Sequence, residues 1–361
     1  MSIYKIKKLK KPNFFQKTFG LNPKYNYVIE LNNLFVKHEM DIYKISNYDI
    51  ERLDIKYNVK LTDFLTEKLN IFEEYLKDCL LDEKLDTYDK DALEYIRNIL
   101  SLPPEVTFKK IKKWTKSIYR DIVLSIISDG KVNEVEETKL EEYKIKLDLT
   151  ISETKNIYIE EANKYFIEYV NEIIADDRVN PVEEQTLYAI AKNLNINVNI
   201  PDELAHKLNK FKLYWQIEHD EIPIIESDIK LIRGEKLYFK GKDVDWLEMR
   251  KVTKRYNYAG PTARIKIAKG IYYRLGSISV QPVTEDEWRT IDSGSIYVTN
   301  KRLIFMGDKS NKTIRLNRIL DIIAYSNGVD IQKDSGRSPF LQFYDSVDTF
   351  SMILMRAIRD Y

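Results

Sequence analysis

SDGKVNEVEE at residues 128–137 and ADDRVNPVEE at residues 175–184 are one motif written twice, 47 residues apart. LDEKLDTYDK at 81–90 lies another 47 residues upstream, and equivalent positions keep their chemistry. Asp82, Asp129 and Asp176 align, followed by Lys84, Lys131 and Arg178, then Leu85, Val132 and Val179. Asp86, Asn133 and Asn180 come next, then Asp89, Glu136 and Glu183, then Leu93, Leu140 and Leu187. A weaker copy stands 40 residues before the first of these, where KISNYDIERL (44–53) parallels KLDTYDKDAL (84–93). Self-similarity at such a period marks a repeat architecture, here with copies near 44–53, 81–93, 128–140 and 175–187.

Each motif is flanked by helical periodicity. Ile118, Ile122 and Ile126 precede one copy, and Tyr165, Tyr169 and Ile173 another, at the spacing of a buried helix face. Leu187, Ile190, Ala191 and Leu194 follow the last copy in the same way. Asn133 with Glu136, and Asn180 with Glu183, place an N-cap residue three positions before a carboxylate, which starts a helix. The unit is therefore helix, short loop, helix. SLPPE, DLTISE and NINVNIPDE end one unit and start the next with Pro or Ser followed by acid. One such hairpin cannot bury its apolar stripe alone, so consecutive hairpins must pack together.

The turns at Asp129 and Asp176 resemble the TerB-like family of bacterial stress proteins, whose helical hairpins carry an acidic Asp-Gly turn. SDGKVNEVE follows that pattern, and ADDRVNPVE departs from it only where Asp177 replaces the glycine. The resemblance is specific over about 115–200 and weaker over 35–115. It implies a domain of helical hairpins and a setting in bacterial stress, tellurite resistance or phage defence.

The acidic turns invite comparison with a calcium loop. With Asp129 in the fifth slot of an EF-hand, Gly130 and Glu136 fall at the sixth and twelfth. The first and third slots are then Ser125 and Ile127, or Glu172 and Ile174 in the next copy, so half the cage is missing. Capping is the stronger reading. TerB-like proteins are linked to divalent metals, so the resemblance keeps a weak metal site in view at Asp129, Asn133, Glu136, Asp176, Asn180 and Glu183. No other cofactor is expected.

Past about residue 220 the period changes to alternation. GSIYVT (294–299) and RLIFM (302–306) read as strands joined at Asn300-Lys301. TIRL (313–316), LDIIAY (320–325), VDIQK (329–333) and PFLQFY (339–344) follow, with turns at Asn327-Gly328 and Ser335-Gly336. A closing helix within 346–360 carries Val347, Phe350, Leu354 and Ile358 on one face. Short antiparallel strands closed by a helix suggest a small capped barrel or half-open roll. The stretch 294–325 looks like the PH-like superfamily in its GRAM and bacterial PH forms, and LIRGEKLYFKG resembles that family's first strands. The segment from Trp246 to Pro282 exceeds what a minimal barrel needs and reads as an insertion or extra strands.

Composition bounds the rest. The 361 residues are 43% apolar and 32% charged with only 11 Gly and 10 Pro, which excludes collagenous and wholly disordered chains. Apolar runs stop at four or five residues, too short to span a bilayer. The lone Cys79 and the want of an apolar leader fit a reducing cytoplasm. Charges nearly cancel at +1, so a polyanion site must come from clustering.

Two clusters qualify. Residues 1–27 form a basic arm with Lys5, Lys7, Lys8, Lys10, Lys11, Lys17 and Lys24, no acid, and Phe14, Phe15 and Phe19 among them. That mixture suits a membrane surface or an acidic partner, and its position ahead of the repeats suggests a mobile arm. Arg250, Lys251, Lys254, Arg255, Arg264, Lys266, Lys269 and Arg274 form the second, interleaved with Tyr256, Tyr258, Tyr272 and Tyr273, which suits nucleic acid or a phosphorylated ligand. Lys301 and Arg302 are further candidate anion contacts, beside a reading in which they simply make a turn. No phosphate loop, nucleophile elbow, paired Cys ligands or metalloprotease His pair occurs. His38, His206 and His219 are scattered, and Glu218-His219-Asp220-Glu221 reads as a solvated helix end.

The sequence thus predicts an α+β multidomain chain. A basic arm (1–27) leads into TerB-like hairpins (28–220) and a PH-like β domain (221–361). The expected function is non-catalytic scaffolding of protein partners, cytoplasmic and peripheral to a membrane. Nucleic-acid binding through 249–283 and a metal-dependent enzyme or sensor are the rivals.

Overall fold

A computed structural model describes residues 5–38, 41–251, 263–268, 271–275 and 286–361. The chain is α+β, helical first and then a sheet. The helices are α1 (Phe14–Thr18), α2 (Asn26–Lys37), α3 (Asn47–Tyr57), α4 (Leu65–Cys79), α5 (Thr87–Ile99), α6 (Pro104–Ile127), α7 (Glu134–Lys146), α8 (Ile151–Ile173), α9 (Pro181–Asn193) and α10 (Asp202–His219). The strands are β1 (Leu237–Lys251), β2 (Ala263–Ala268), β3 (Ile271–Leu275), β4 (Asp286–Thr299), β5 (Arg302–Gly307), β6 (Asn311–Arg315), β7 (Ile319–Tyr325), β8 (Gly328–Lys333) and β9 (Pro339–Gln342). Helix α11 (Val347–Arg359) closes the described chain. Two compact units divide it: Met1–Tyr169 with Leu187–Asn199, and Val170–Thr186 with Ile200–Tyr361.

Each sequence repeat is a hairpin: α2–α3, α4–α5, α6–α7 and α8–α9. Three of the turns are built identically. Asp82, Asp129 and Asp176 each accept from the backbone N–H two residues on, at 3.3, 3.2 and 3.0 Å. The residue between is left-handed in every case: Glu83 (φ 58°), Gly130 (φ 76°) and Asp177 (φ 60°). Next, an apolar side chain plugs inward, buried at Leu85 and Val179 and half-buried at Val132. The following residue caps the second helix. Asp86, Asn133 and Asn180 accept from N–H groups of the first turn while Asp89, Glu136 and Glu183 accept from the cap's own N–H. The weaker copy keeps the box through Ser46 and Asp49 and the plug through Ile45.

The repeats also dock in a repeated way, each turn meeting a helix further along the chain. Ile45 C=O accepts from Tyr95 on α5 at 2.7 Å, and Leu85 N–H donates to Lys146 C=O at the end of α7 at 2.8 Å. A Cβ on Gly130 would lie 3.2 Å from both Ile190 of α9 and Tyr165. In the second unit Val179 N–H points to Phe211 C=O of α10, and Arg178 and Glu184 pair with Glu218 and Lys212 of that helix. So α10 receives the last turn as α5 and α7 receive earlier ones.

On α6 the expected Ile122 and Ile126 are buried, with Tyr119, Val123 and Ile127 beside them, while Ile118 is half-buried. On α8 the stripe is rotated by one residue. Phe166, Val170 and Ile173 are buried while Tyr165 and Tyr169 sit half-buried beside them, where a phenol can keep its hydroxyl near polar groups.

Seven strands run antiparallel as an open sheet in the order β7-β8-β9-β1-β4-β5-β6. The hairpin β2–β3 extends it past β7 through the parallel bridge Arg274–Tyr325, so extra strands lie within the long segment after Trp246. Alternation decides the faces. Ile296, Val298, Leu303 and Phe305 enter the main core with Trp246, Val329, Ile331 and Leu341. Tyr297 and Ile304 point the other way, under Ile229 and Leu231 of the preceding loop. Two helices cover the main core: α11 through Val347, Phe350 and Leu354, and α10 through Tyr214 and Ile217. Arg356 of α11 donates to Ile217 C=O at 2.6 Å, tying those helices together. Gly294 lets β4 and β5 close up, since a Cβ there would sit 2.1 Å from Met306 O.

Candidate binding surfaces

In the acidic turns the candidate metal-binding side chains all take part in the turn's own hydrogen bonds. Asp129 and Asp176 hold backbone N–H groups, Asn133 and Asn180 cap helices, and Glu136 and Glu183 complete the boxes. Asp129 also lies 3.6 Å from Lys131. Among the described residues no three His, Cys, Asp or Glu side chains come together as a metal-holding group. At the helix end near 218, Glu218 pairs with Arg178 and His219 stacks on Trp215 at 5.0 Å, while its Nδ1 lies 3.1 Å from Trp215 O.

Beside their exposed charges, the turns also expose apolar side chains. Tyr48, Tyr88, Val135 and Val182 occupy the same place in the four copies, two residues after the cap, and are 67, 65, 79 and 71% exposed. Capping asks for a hydroxyl, acid or amide at the cap and an acid or amide at its partner, not for an apolar side chain between them. Helix α7 buries no residue fully, and its outer face carries an open groove of about 450 Å³ along Val135, Lys139, Glu142, Tyr143 and Lys146. Tyr43 lies 6.1 Å from Tyr88 and 5.2 Å from Tyr95, adding aromatic surface to the first two turns.

The basic arm is docked rather than loose. The Asn33 amide brackets Lys7, accepting from its N–H and donating to its C=O, both at 2.7 Å. Asn26 brackets Lys10 in the same way at 2.8 and 2.9 Å. Asn32 donates to Lys5 C=O and accepts from the Lys7 ammonium, whose pKa partial burial lowers. Lys10 sits 4.0 Å over Tyr25, and Lys24 pairs with Asp63. Lys8 and Lys11 are exposed, and Phe14, Phe15 and Phe19 stand 80, 73 and 71% exposed.

In the β unit the turn cations find partners within the unit. Arg302 makes two bonds of 2.9 and 3.0 Å to Glu235, whose side chain is fully buried, and Thr299 donates to that carboxylate at 2.8 Å. Burial opposes ionisation of Glu235, but Arg302, the Ile232 N–H and Thr299 outweigh it and hold its pKa below the ordinary range. Lys301 donates to Arg233 C=O at 2.8 Å. Of the second cluster, Arg250 stands 4.0 Å from Glu248. The backbone register sets Arg264 opposite Arg274 and Lys266 opposite Tyr272, and Lys251 ends β1. Lys254, Arg255 and Lys269 lie outside the described residues.

One anchor escaped sequence reasoning. Asp292, 1% exposed, accepts from the N–H groups of Lys309 and Ser310 and from Lys312 Nζ, so the turn after β5 folds around its carboxylate. The four exposed apolar residues were available from the repeat alignment, and the brackets from Asn26 and Asn33, seven residues apart on one face of α2. No helix among the described residues is long and apolar enough to cross a membrane. In comparisons with protein families and with curated proteins, nothing matches this chain.

Proposed function

We propose that this chain is a non-catalytic binding protein that assembles protein partners, built from TerB-like hairpins and a PH-like sheet. The observation that carries it is the set Tyr48, Tyr88, Val135 and Val182, exposed at one position of every copy while the neighbouring acids are committed to caps. Aromatic and aliphatic side chains held on rigid turns are suitable anchors for a protein interface. The run of seven antiparallel strands with α11 across its core supports the PH-like part of the reading, and such domains bind without chemistry. The stress-response or phage-defence setting rests on the resemblance alone.

Co-purification tests it. Proteins retained by the parent chain should be lost from a variant carrying Tyr48→Ser, Tyr88→Ser, Val135→Ser and Val182→Ser, whose circular dichroism should be unchanged because all four side chains face solvent. Calorimetric titration with calcium, magnesium and zinc addresses the rival. Tight stoichiometric binding abolished by Asp129→Asn and Asp176→Asn would overturn the scaffold reading in favour of a metal protein.

A further inference from the structure

We propose that residues 5–21 form a preorganised prong that docks on an anionic bilayer surface. This rests on the binding-protein reading and names one of its partners. Three features combine. First, no Asp or Glu occurs before Glu30, while seven lysines do, and among the described residues Lys8, Lys11 and Lys17 meet no carboxylate at ion-pair distance. Second, Phe14, Phe15 and Phe19 face water, with Ile6 at 74% and Leu21 at 59% exposure beside them. Third, the backbone that carries them is fixed. Asn26 and Asn33 bracket Lys10 and Lys7, Asn13 and Gln16 cap α1 reciprocally, and Leu21 N–H returns to Gln16 C=O at 2.8 Å. The rings are therefore held outward and do not fold back onto the helices.

A bilayer interface supplies both chemistries at once: anionic headgroups for the lysines and an apolar layer directly beneath them for the rings. Helix α1, five residues long, is too short to offer the i, i+4, i+7 anchors of a helix that fills a protein groove. Phe14 and Phe15 stand at 84° to one another, so they do not make the two parallel platforms on which successive bases stack.

The test is sedimentation of the full chain with phosphatidylcholine vesicles with and without phosphatidylserine, beside a shift assay with single-stranded DNA and RNA. The parent should bind serine-containing vesicles at least about tenfold more tightly than neutral ones, with loss at high salt. Replacing Phe14, Phe15 and Phe19 together by Ser should weaken that binding about tenfold or more, and so should reversing Lys8, Lys11 and Lys17 to Glu. Both variants alter exposed side chains, and unchanged circular dichroism confirms that they fold. Phe15→Trp should add an emission that brominated lipid chains quench, above that of the four native tryptophans. Equal binding to neutral vesicles, no loss in the Phe variant, or a nucleic-acid shift without vesicle binding overturns the proposal. Such a failure is separable from failure of the scaffold reading, whose test uses other residues and other partners.

Discussion

One left-handed residue decides three of the hairpin turns. Gly130 adopts φ 76° without penalty, whereas Glu83 and Asp177 hold φ near 60° with a Cβ, which costs a non-glycine residue about 1 kcal/mol. The alignment shows the glycine in one copy only; the backbone shows the same requirement in three. Two substitutions of opposite sign follow. Gly130→Ala should destabilise by roughly 1–3 kcal/mol, because it adds left-handed strain to a contact of 3.2 Å with Ile190 and Tyr165. Asp177→Gly should lie between neutral and about 1 kcal/mol stabilising. Denaturant melts of both variants check the pair, and equal destabilisation would show that turn geometry is not the governing factor.

Among the elements, the turn after β5 depends on Asp292. Its burial disfavours the charged form, yet the N–H groups of Lys309 and Ser310 and the Lys312 ammonium prevail and lower its pKa. A folded-state pKa below the unfolded value means that Asp292 contributes stability above the ordinary carboxylate range, which is lost as pH falls through the lowered value. Asp292→Ala, which leaves those N–H donors unmatched, should cost about 2–4 kcal/mol at neutral pH and reduce the loss of stability on acidification. Hydrogen exchange at Lys309 and Ser310 should accelerate; unchanged exchange there would show that the turn holds without the carboxylate. Asp292 was invisible in the sequence because its partners are backbone N–H groups 17 and 18 residues away. Alternation along 294–306 was legible because one face meets the main core and the other only a loop, so each residue reports its side. Lys301 and Arg302 were legible as a turn, but the buried Glu235 that occupies Arg302 lies 67 residues upstream. The arm read as mobile because its restraint comes from side-chain amides on α2: Asn26 and Asn33 share a helix face, but an amide pair does not say which backbone it will bind.

Across the molecule, the repeat explains more than the hairpins that carry it. Helix α10 has no acidic motif of its own, so sequence comparison ends the repeats before it and counts it merely as their last helix. Its packing gives it two duties inside the second unit. One face buries Tyr214 and Ile217 in the sheet core, and another receives the turn at 176–184 through Arg178–Glu218 and Glu184–Lys212. The guanidinium of Arg178 bonds both Glu218 oxygens, at 2.7 and 2.9 Å, with both side chains less than a fifth exposed, and lies 5.2 Å over the Tyr214 ring. A bidentate, partly buried pair of this kind is worth more than a surface ion pair, on the order of 1–3 kcal/mol. The turn should therefore stabilise the β unit even in isolation. A fragment spanning 170–361 should melt about 3–10 °C above one spanning 200–361, given about 2–4 °C per kcal/mol for a unit of this size. Arg178→Ala in the longer fragment should remove a large part of that difference. Coincident melting of the two fragments by circular dichroism would mean that α10 needs only the sheet, and that the last turn of the repeat rests on it without contributing to its stability.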